Sequence, residues 1–416
     1  MHPCFNQEIQ EKAPGKFRSA FSSYRAIRMS QWLVKGLVCF SLLLGSIYAQ
    51  AQISYDGVDG RTNAVNTAVP FLRISPNARS AAMGDAGIAL SPDVNSVFWN
   101  LSQIPFTDKE SGVTATYTPW LSEMANDVFL ASIGAYHKID DQQAVGVSFR
   151  YFDMGSIQLT DFQGEDQGRT HPREFSVDAG YARKLSEHWS LGLAFRFIHS
   201  NLASGVKQGD DGTYKAGTAF AGDLSASYES MQKYSDDKAG TWRFGATLTN
   251  LGTKIAYTED KTDKYSIPSN LGIGGSYTYQ INRKNSLALA LDINKLLVPT
   301  PDTVDSNADG IPDYRQKSVV SGIFGSFGDA PGGFSEEFHE LMYSTGVEYW
   351  YDNLFALRAG YYNEHKTKGD RKYVTVGFGL RYKMAGLDFS YLVPSGGGSE
   401  KNPLSNTLRV SLSASW

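Results

Sequence analysis

The sequence predicts an all-β protein, a fourteen-stranded antiparallel transmembrane β-barrel with an N-terminal plug segment. Three observations predict it. Apolar residues alternate with small or charged residues from residue 111 to the end of the chain. The alternating segments run roughly 9–15 residues, whereas strands of soluble proteins average about 5–6. Short connections alternate with long ones, as they do at the two ends of an outer-membrane barrel.

Composition excludes several other classes of protein. The 416 residues include 41 glycines, 13% are aromatic, and the net charge is -4. The aromatic content argues against disorder, the glycine content against a helical bundle, and the charge against a nucleic-acid partner. The mean hydropathy of -0.31 excludes only a helical membrane protein, because a barrel hides its apolar residues in alternation.

The N-terminal region indicates a secretory signal. Lys35 supplies positive charge, residues 36–47 are apolar, and Ala49-Gln50-Ala51 offers the small residues that a signal peptidase needs. We expect Met29 to be the true start, and a long basic n-region is the alternative. Residues 1–51 are therefore predicted to be an N-terminal extension and signal peptide. Both cysteines precede the expected cleavage site, which excludes disulfides and thiolate metal sites from the mature chain.

Residues 52–110 are predicted to form a periplasmic or plug segment. They contain four prolines and the small-residue run 80–87, and they lack strand alternation. Fourteen strands would leave an open lumen, and this segment is too apolar for a free tail. We therefore predict a partly helical plug before a barrel that spans residues 111–416.

The barrel strands are predicted from the alternation. A soluble sandwich could show the same pattern, but the strand lengths and the alternating loop lengths favour the membrane barrel. An even strand number places both chain ends in the periplasm, and the final strand ends on Trp416 like an outer-membrane insertion signal. The connections 121–126 and 231–240 fit the layout less well. The predicted strands are 112–120, 127–138, 143–154, 173–185, 188–201, 214–230, 241–252, 267–280, 285–298, 340–351, 354–364, 371–383, 386–393 and 405–416.

The sequence carries no catalytic motif. It has no His-Glu-x-x-His, no Gly-x-Ser-x-Gly and no phosphate-binding loop. Glycines within the strands are expected to admit tight neighbours or to bend the barrel wall. We therefore expect a protein that is not an enzyme and requires no cofactor.

Charged residues on the small-residue face of the strands are expected to cluster in the lumen. They could line a polar pore, or they could bind the plug and each other through buried pairs. We favour the buried pairs, because a plug must be held by something. These residues are Arg150, Arg196, Arg243, Asp292, Arg358, Arg381, Asp388 and Arg409.

One segment between strands resembles a calcium-binding loop. It matches the first nine positions of such a loop, but position 12 is Gln316 where a bidentate Glu would stand. A Ca²⁺ ion that stiffens the longest loop is one interpretation, and a solvated turn is the other. The candidate ligands are Asp305, Asn307, Asp309, Ile311 and Asp313.

Several long and unusual segments resemble the PorV family, outer-membrane barrels of the type IX secretion system of Bacteroidetes. The resemblance covers roughly residues 52–416 and implies a barrel of FadL-like type with no enzymatic role. The segments that carry it are Phe71–Arg79, Phe98–Asn100, Leu297–Pro301, Phe327–Glu337, Phe355–Tyr362, Glu364–Gly369 and Gly386–Pro394.

The resemblance also implies a function and partners. PorV proteins bind the C-terminal domain of secreted cargo at a SprA/Sov-type translocon and deliver it to a PorU-type sortase attachment complex. The implied location is the outer membrane, with its lipid around the barrel. Exposed Phe324, Phe327 and Phe334 could anchor cargo, or they could pack over the barrel mouth. The alternative function is a FadL-type channel for hydrophobic small molecules.

Overall fold

A computed structural model describes residues 63–120, 127–160, 163–206, 213–260, 263–394 and 407–416. Within these ranges fourteen strands form one closed antiparallel barrel, in which neighbours along the chain pair and the first strand pairs with the last. This confirms the predicted number of barrel strands. Two further short strands lie outside the barrel. The strands are β1 Ser111–Pro119, β2 Val128–Lys138, β3 Gln143–Met154, β4 Ile157–Thr160, β5 Asp166–Thr170, β6 Arg173–Lys184, β7 Trp189–Asn201, β8 Gly217–Ser235, β9 Lys238–Gly252, β10 Asn270–Asn282, β11 Asn285–Leu296, β12 Leu341–Tyr351, β13 Phe355–Asn363, β14 Lys372–Tyr382, β15 Ala385–Pro394 and β16 Leu408–Ser415.

Two features of the strands differ from the prediction. Residues 231–240 are not a loose connection, because β8 and β9 pair until Ser235 lies opposite Lys238. The segment is polar, so it shows no alternation that would mark a strand. The strands β4 and β5 were not predicted, and they pair with each other outside the barrel. The signal region, the connection 121–126 and residues 405–406 lie outside the described residues.

The barrel is apolar outside and polar inside. On β3, Val147 is 54% exposed, whereas its neighbours Ser148 and Arg150 are 5% and 4% exposed. Ile133 on β2 and Leu412 on β16 are also exposed, at 56% and 60%. A soluble sandwich would bury these residues and expose the arginine. The pattern fits a wall that meets lipid on its outer face.

The segment before β1 fills the lumen as a plug, with Phe71, Met83 and Ile104 fully buried. Among the described residues no helix is long and apolar enough to cross a membrane. The plug contains two 3-10 helices, Pro70–Arg73 and Leu101–Phe106, and two short α-helices, α1 Ala78–Ala81 and α2 Ser96–Trp99. The connection between β11 and β12, residues 297–340, is here called the long loop. It contains α3 Asp313–Gln316, α4 Val319–Gly325 and α5 Phe334–His339.

Inward-facing glycines of the wall give the plug its room. A Cβ on Gly360 of β13 would lie 2.0 Å from the backbone nitrogen of Gly84. A Cβ on Gly346 of β12 would lie 2.6 Å from the Met83 carbonyl oxygen, and a Cβ on Gly274 of β10 would lie 2.8 Å from the Cβ of Ile88. Strand glycines therefore admit tight neighbours, as the sequence predicted.

The substitution Gly360→Ala is expected to weaken the seating of the plug, because the added methyl group meets plug backbone that cannot rotate away. Overpacking of this kind costs about 1–3 kcal/mol. The matched control is Gly222→Ala on β8, whose Cβ would lie 3.7 Å from its nearest neighbour. Urea unfolding of barrels folded into lipid vesicles measures the difference. Equal midpoints for the two variants would contradict the close fit of the plug.

Candidate functional site

A chain of six alternating charges joins the plug to the barrel wall. It starts in the plug, where Nη1 of Arg79 lies 2.9 Å from Oδ2 of Asp93. The same guanidinium bonds both carboxylate oxygens of Glu348 on β12, with Nε at 3.0 Å from Oε2 and Nη2 at 2.8 Å from Oε1. This two-bond geometry fixes orientation as well as distance.

The chain of charges continues through the wall. Nε of Arg358 on β13 lies 2.6 Å from Oε2 of Glu348, and its Nη1 lies 2.8 Å from Oδ1 of Asp388 on β15. Arg381 on β14 ends the chain, with Nη2 at 2.8 Å from Oδ2 of Asp388. Three arginines thus alternate with three carboxylates, and the formal charges cancel.

Burial explains why these charges must be paired. The side chains of Arg358 and Asp388 are 0% and 1% exposed, and a buried charge without a partner is strongly destabilising. Burial opposes the charge on Arg79, but the carboxylates of Glu348 and Asp93 outweigh it and hold its pKa above the ordinary value. Arg79 therefore stays cationic at any physiological pH.

Two more of the predicted lumen residues hold the plug directly. Oδ2 of Asp292 accepts hydrogen bonds from the backbone N–H groups of Gly87 and Ile88, at 2.7 and 2.9 Å. Arg150 donates to the carbonyl oxygens of Leu72 and Phe98, at 3.3 and 3.0 Å. Backbone groups of the plug, which has little regular structure, are satisfied by wall side chains in this way.

The other predicted charges stay within the wall. Arg196 pairs with Asp178 and with Asp223, the latter at 3.0 Å. Nε of Arg243 lies 2.6 Å from Glu229. Arg409 is 3% exposed, and its Nε has no hydrogen-bond partner among the described residues. The eight predicted residues therefore divide into plug contacts, the chain through Glu348, and separate wall positions.

Three charges of this series, Asp93, Arg79 and Glu348, were not predicted from the sequence. Glu348 could have been found, because it shares the inward parity of Ser344 and Gly346 on β12. Arg79 and Asp93 carry no such signal, because the plug has no period. The structure alone shows that Arg79 reaches the wall and that Asp93 pairs with it.

One cavity in the lumen is small and has a mixed lining. A cavity of about 120 Å³ lies between the plug and the wall. Asp85 and Asp223 line it together with apolar residues such as Leu72, Phe98 and Leu296. Four arginines complete the lining: Arg73, Arg150, Arg196 and Arg371.

A second group of buried charges fixes the long loop to the barrel. Nζ of Lys295, at the end of β11, lies 3.0 Å from Glu337 and 2.5 Å from Glu340. Nζ of Lys368, in the next loop at this end, lies 2.6 Å from Glu336 and 3.1 Å from Glu340. Glu340 therefore bridges two loops. None of these residues was predicted as a site residue.

The three predicted cargo anchors are exposed on the long loop. Phe324, Phe327 and Phe334 are 75%, 51% and 77% exposed. Phe327 and Phe334 line an apolar groove of about 230 Å³ whose other side includes Ile273, an outward-facing residue of β10. Phe324 does not line this groove. Their role in cargo binding stays a prediction.

The predicted calcium ligands lie in a surface turn of the long loop. The carboxylate of Asp305 accepts hydrogen bonds from the backbone N–H groups of Asp309 and Gly310, at 3.3 and 2.9 Å. The carboxylate of Asp313 accepts one from the backbone N–H of Ser306 at 3.0 Å. Among the described residues no three His, Cys, Asp or Glu side chains form a group that could hold a metal ion. Calcium binding stays a prediction.

The family follows from comparison with known proteins. The chain matches the family model described as "Type IX secretion system protein PorV" over residues 56–303, more than half of its length. The chain belongs to the PorV family. The matched range includes the segments Phe71–Arg79, Phe98–Asn100 and Leu297–Pro301, and the other segments quoted for the resemblance lie beyond it. No curated protein matches the chain.

Solved structures similar to this PorV-family chain include two toluene transporters and a FadL homologue. The toluene transporter TbuX of Ralstonia pickettii has a TM-score of 0.45 and 11% identity, over 82% of this chain and 98% of that chain. The toluene transporter TodX of P. putida has a TM-score of 0.46 and 10% identity, over 82% and 98%. A Pseudomonas aeruginosa FadL homologue has a TM-score of 0.38 and 12% identity, over 85% and 99%.

A stacked histidine pair joins the long loop of this PorV-family barrel to the loop between β13 and β14. The rings of His339 on α5 and His365 are 3.6 Å apart and parallel within 5°. Burial, and then the charges of His339, Lys372 and Lys366, lower the pKa of His365 from 6.5 to about 4, although Asp370 opposes this. Burial also lowers the pKa of His339, against the pull of Glu336.

Protonation of this pair is expected to loosen the long loop. Between pH 6.5 and about 4 the folded state binds fewer protons than the unfolded state, so the free energy of unfolding falls as pH falls. The carboxylate of Glu336 is desolvated, but Lys368 more than offsets this and lowers its pKa below 4.5. Glu336 therefore keeps its charge through most of this window.

Hydrogen–deuterium exchange at about pH 7.5 and about pH 5 tests this coupling. After correction for intrinsic rates, exchange in residues 334–340 is expected to be faster at the lower pH. The variant His365→Gln should lose most of this difference. Equal protection of residues 334–340 at both pH values would contradict the prediction.

Proposed function

We propose that this PorV-family barrel is a shuttle of the type IX secretion system. It binds the C-terminal domain of secreted cargo at a SprA/Sov-type translocon and delivers the cargo to a PorU-type sortase attachment complex. It carries out no chemistry itself. One observation carries the proposal: the plug fills the lumen and is held by buried ion pairs, which leaves the exterior as the working surface.

The proposed orientation follows from the connections. The short turns lie at one barrel end together with the start of β1 and the end of β16, where Gly112 lies opposite Ser415. All the longer connections, including the long loop, lie at the other end. We assign the short-turn end and both chain ends to the periplasm, and the long-loop end to the cell surface.

The long loop has the properties of a binding surface for cargo. Its aromatic side chains Phe324, Phe327 and Phe334 are exposed, and aromatic residues are enriched among interface residues that contribute most to affinity. The ion pairs of Lys295 and Lys368 hold the loop in place. A loop that is already ordered costs less entropy on binding than a free one.

The alternative function, a channel for hydrophobic small molecules, has less support. Such a channel needs an apolar path, but the lumen cavity has a volume of about 120 Å³ and is lined by four arginines. A hydrophobic molecule that crossed this space would desolvate charged groups.

The proposal predicts that loss of the phenylalanines weakens cargo capture. The triple variant Phe324→Ser, Phe327→Ser, Phe334→Ser should recover about tenfold less cargo in a tagged pull-down from native outer membranes. The matched control replaces exposed apolar residues of the same loop, Val304→Ser with Val320→Ser, which are 54% and 64% exposed. Mass spectrometry identifies the partners.

Two outcomes would contradict this proposal. Equal cargo recovery by both variants would remove the phenylalanines from the binding surface. Recovery of lipid alone by the unsubstituted protein, with no secreted protein enriched over a control barrel, would reject the shuttle and favour the channel.

A further inference from the structure

The apolar groove lies on the outer wall of the barrel and not over its mouth. One side is formed by outward-facing residues of β10 and β11, with Ile273 directly opposite Ile293 in the strand pairing. The other side is formed by Phe327 and by Phe334 and Phe338 of α5. The two α5 rings pack edge to face, with centroids 4.8 Å apart. The long loop thus overhangs the surface that meets lipid.

The groove presents apolar surface to a ligand. Its charged lining residues, Lys295 and Glu337, pair with each other at 3.0 Å, and Lys295 also bonds Glu340. Phe334 and Ile273 are 77% and 56% exposed, so the groove is lined by apolar surface that lacks protein contacts. Burial of such surface is favourable, so the groove favours an apolar occupant.

The groove is continuous with the lipid-facing wall. Leu291 and Leu289 follow Ile293 on the same outward face of β11, toward the short-turn end of the barrel. They are 45% and 54% exposed. A hydrocarbon chain in the adjacent leaflet can enter the groove without crossing water.

We propose that the groove between α5 and strands β10–β11 is a binding site for one acyl chain of a membrane lipid from the leaflet at the long-loop end. The acyl chain packs against Ile273 and Ile293 on one side. On the other side it packs against Phe327, Phe334 and Phe338. Bound lipid covers the exposed underside of α5 and so sets the height of the long loop above the membrane.

Native mass spectrometry of the whole protein, released from lipid nanodiscs into mild detergent, tests the site. The unsubstituted barrel should retain one lipid. The variant Ile273→Trp fills the groove, and it should lower the lipid-bound fraction about tenfold. The matched control is Leu289→Trp, which adds the same side chain to the same outward face away from the groove. It should retain the lipid.

A second variant protects the test against misfolding. Phe334→Ala removes one wall of the groove without touching the barrel, and it should also lose the lipid. The heat-dependent shift of the folded barrel in electrophoresis confirms that each variant is folded. Equal lipid retention by Ile273→Trp and Leu289→Trp, or absence of lipid from the unsubstituted protein, would each overturn the proposal.

Discussion

The structure depends on one interaction, the two-bond ion pair between Arg79 of the plug and Glu348 of the barrel wall. Both side chains are buried, at 5% and 2% exposure, so removal of either leaves a charge that water cannot reach. The planar groups meet through two atoms each, which fixes the orientation of the plug. The wall glycines leave room for the plug at particular positions. Ion pairing and close packing therefore specify a single arrangement of plug and wall.

Because the plug fills the lumen, the outer surface of the barrel and its loops is the surface that a partner can contact. The same device, buried charges in balanced groups, is used again at the long-loop end, where Glu340 bridges Lys295 and Lys368. At this end the ion pairs hold the long loop against the rim of the barrel. The phenylalanines are thereby displayed from a fixed support, where they lie close both to the membrane surface and to any partner that approaches it.

The period of two predicted the barrel well but could not predict what fills it. β3 was predicted with its observed bounds, because Val145, Val147 and Phe149 alternate with small or charged residues. The β8–β9 extension was missed because polar residues such as Gln232 mark no face. The same alternation predicts that Glu348 faces the lumen. Arg79 lies in a segment that has no such periodicity, so its position could not be predicted. The groove joins Phe334 to Ile273, and no local pattern links residues so far apart in sequence.

The conductance of single barrels in planar lipid bilayers tests the central claim most directly, which is that the Arg79–Glu348 pair closes the lumen. The unsubstituted protein should remain closed. The variant Glu348→Gln removes one buried carboxylate that two arginines share, and it should open in bursts as the plug loosens. The wall variant Glu229→Gln, which affects a pair away from the plug, should remain closed. Steady conductance by the unsubstituted barrel, or closure of Glu348→Gln, would contradict the account.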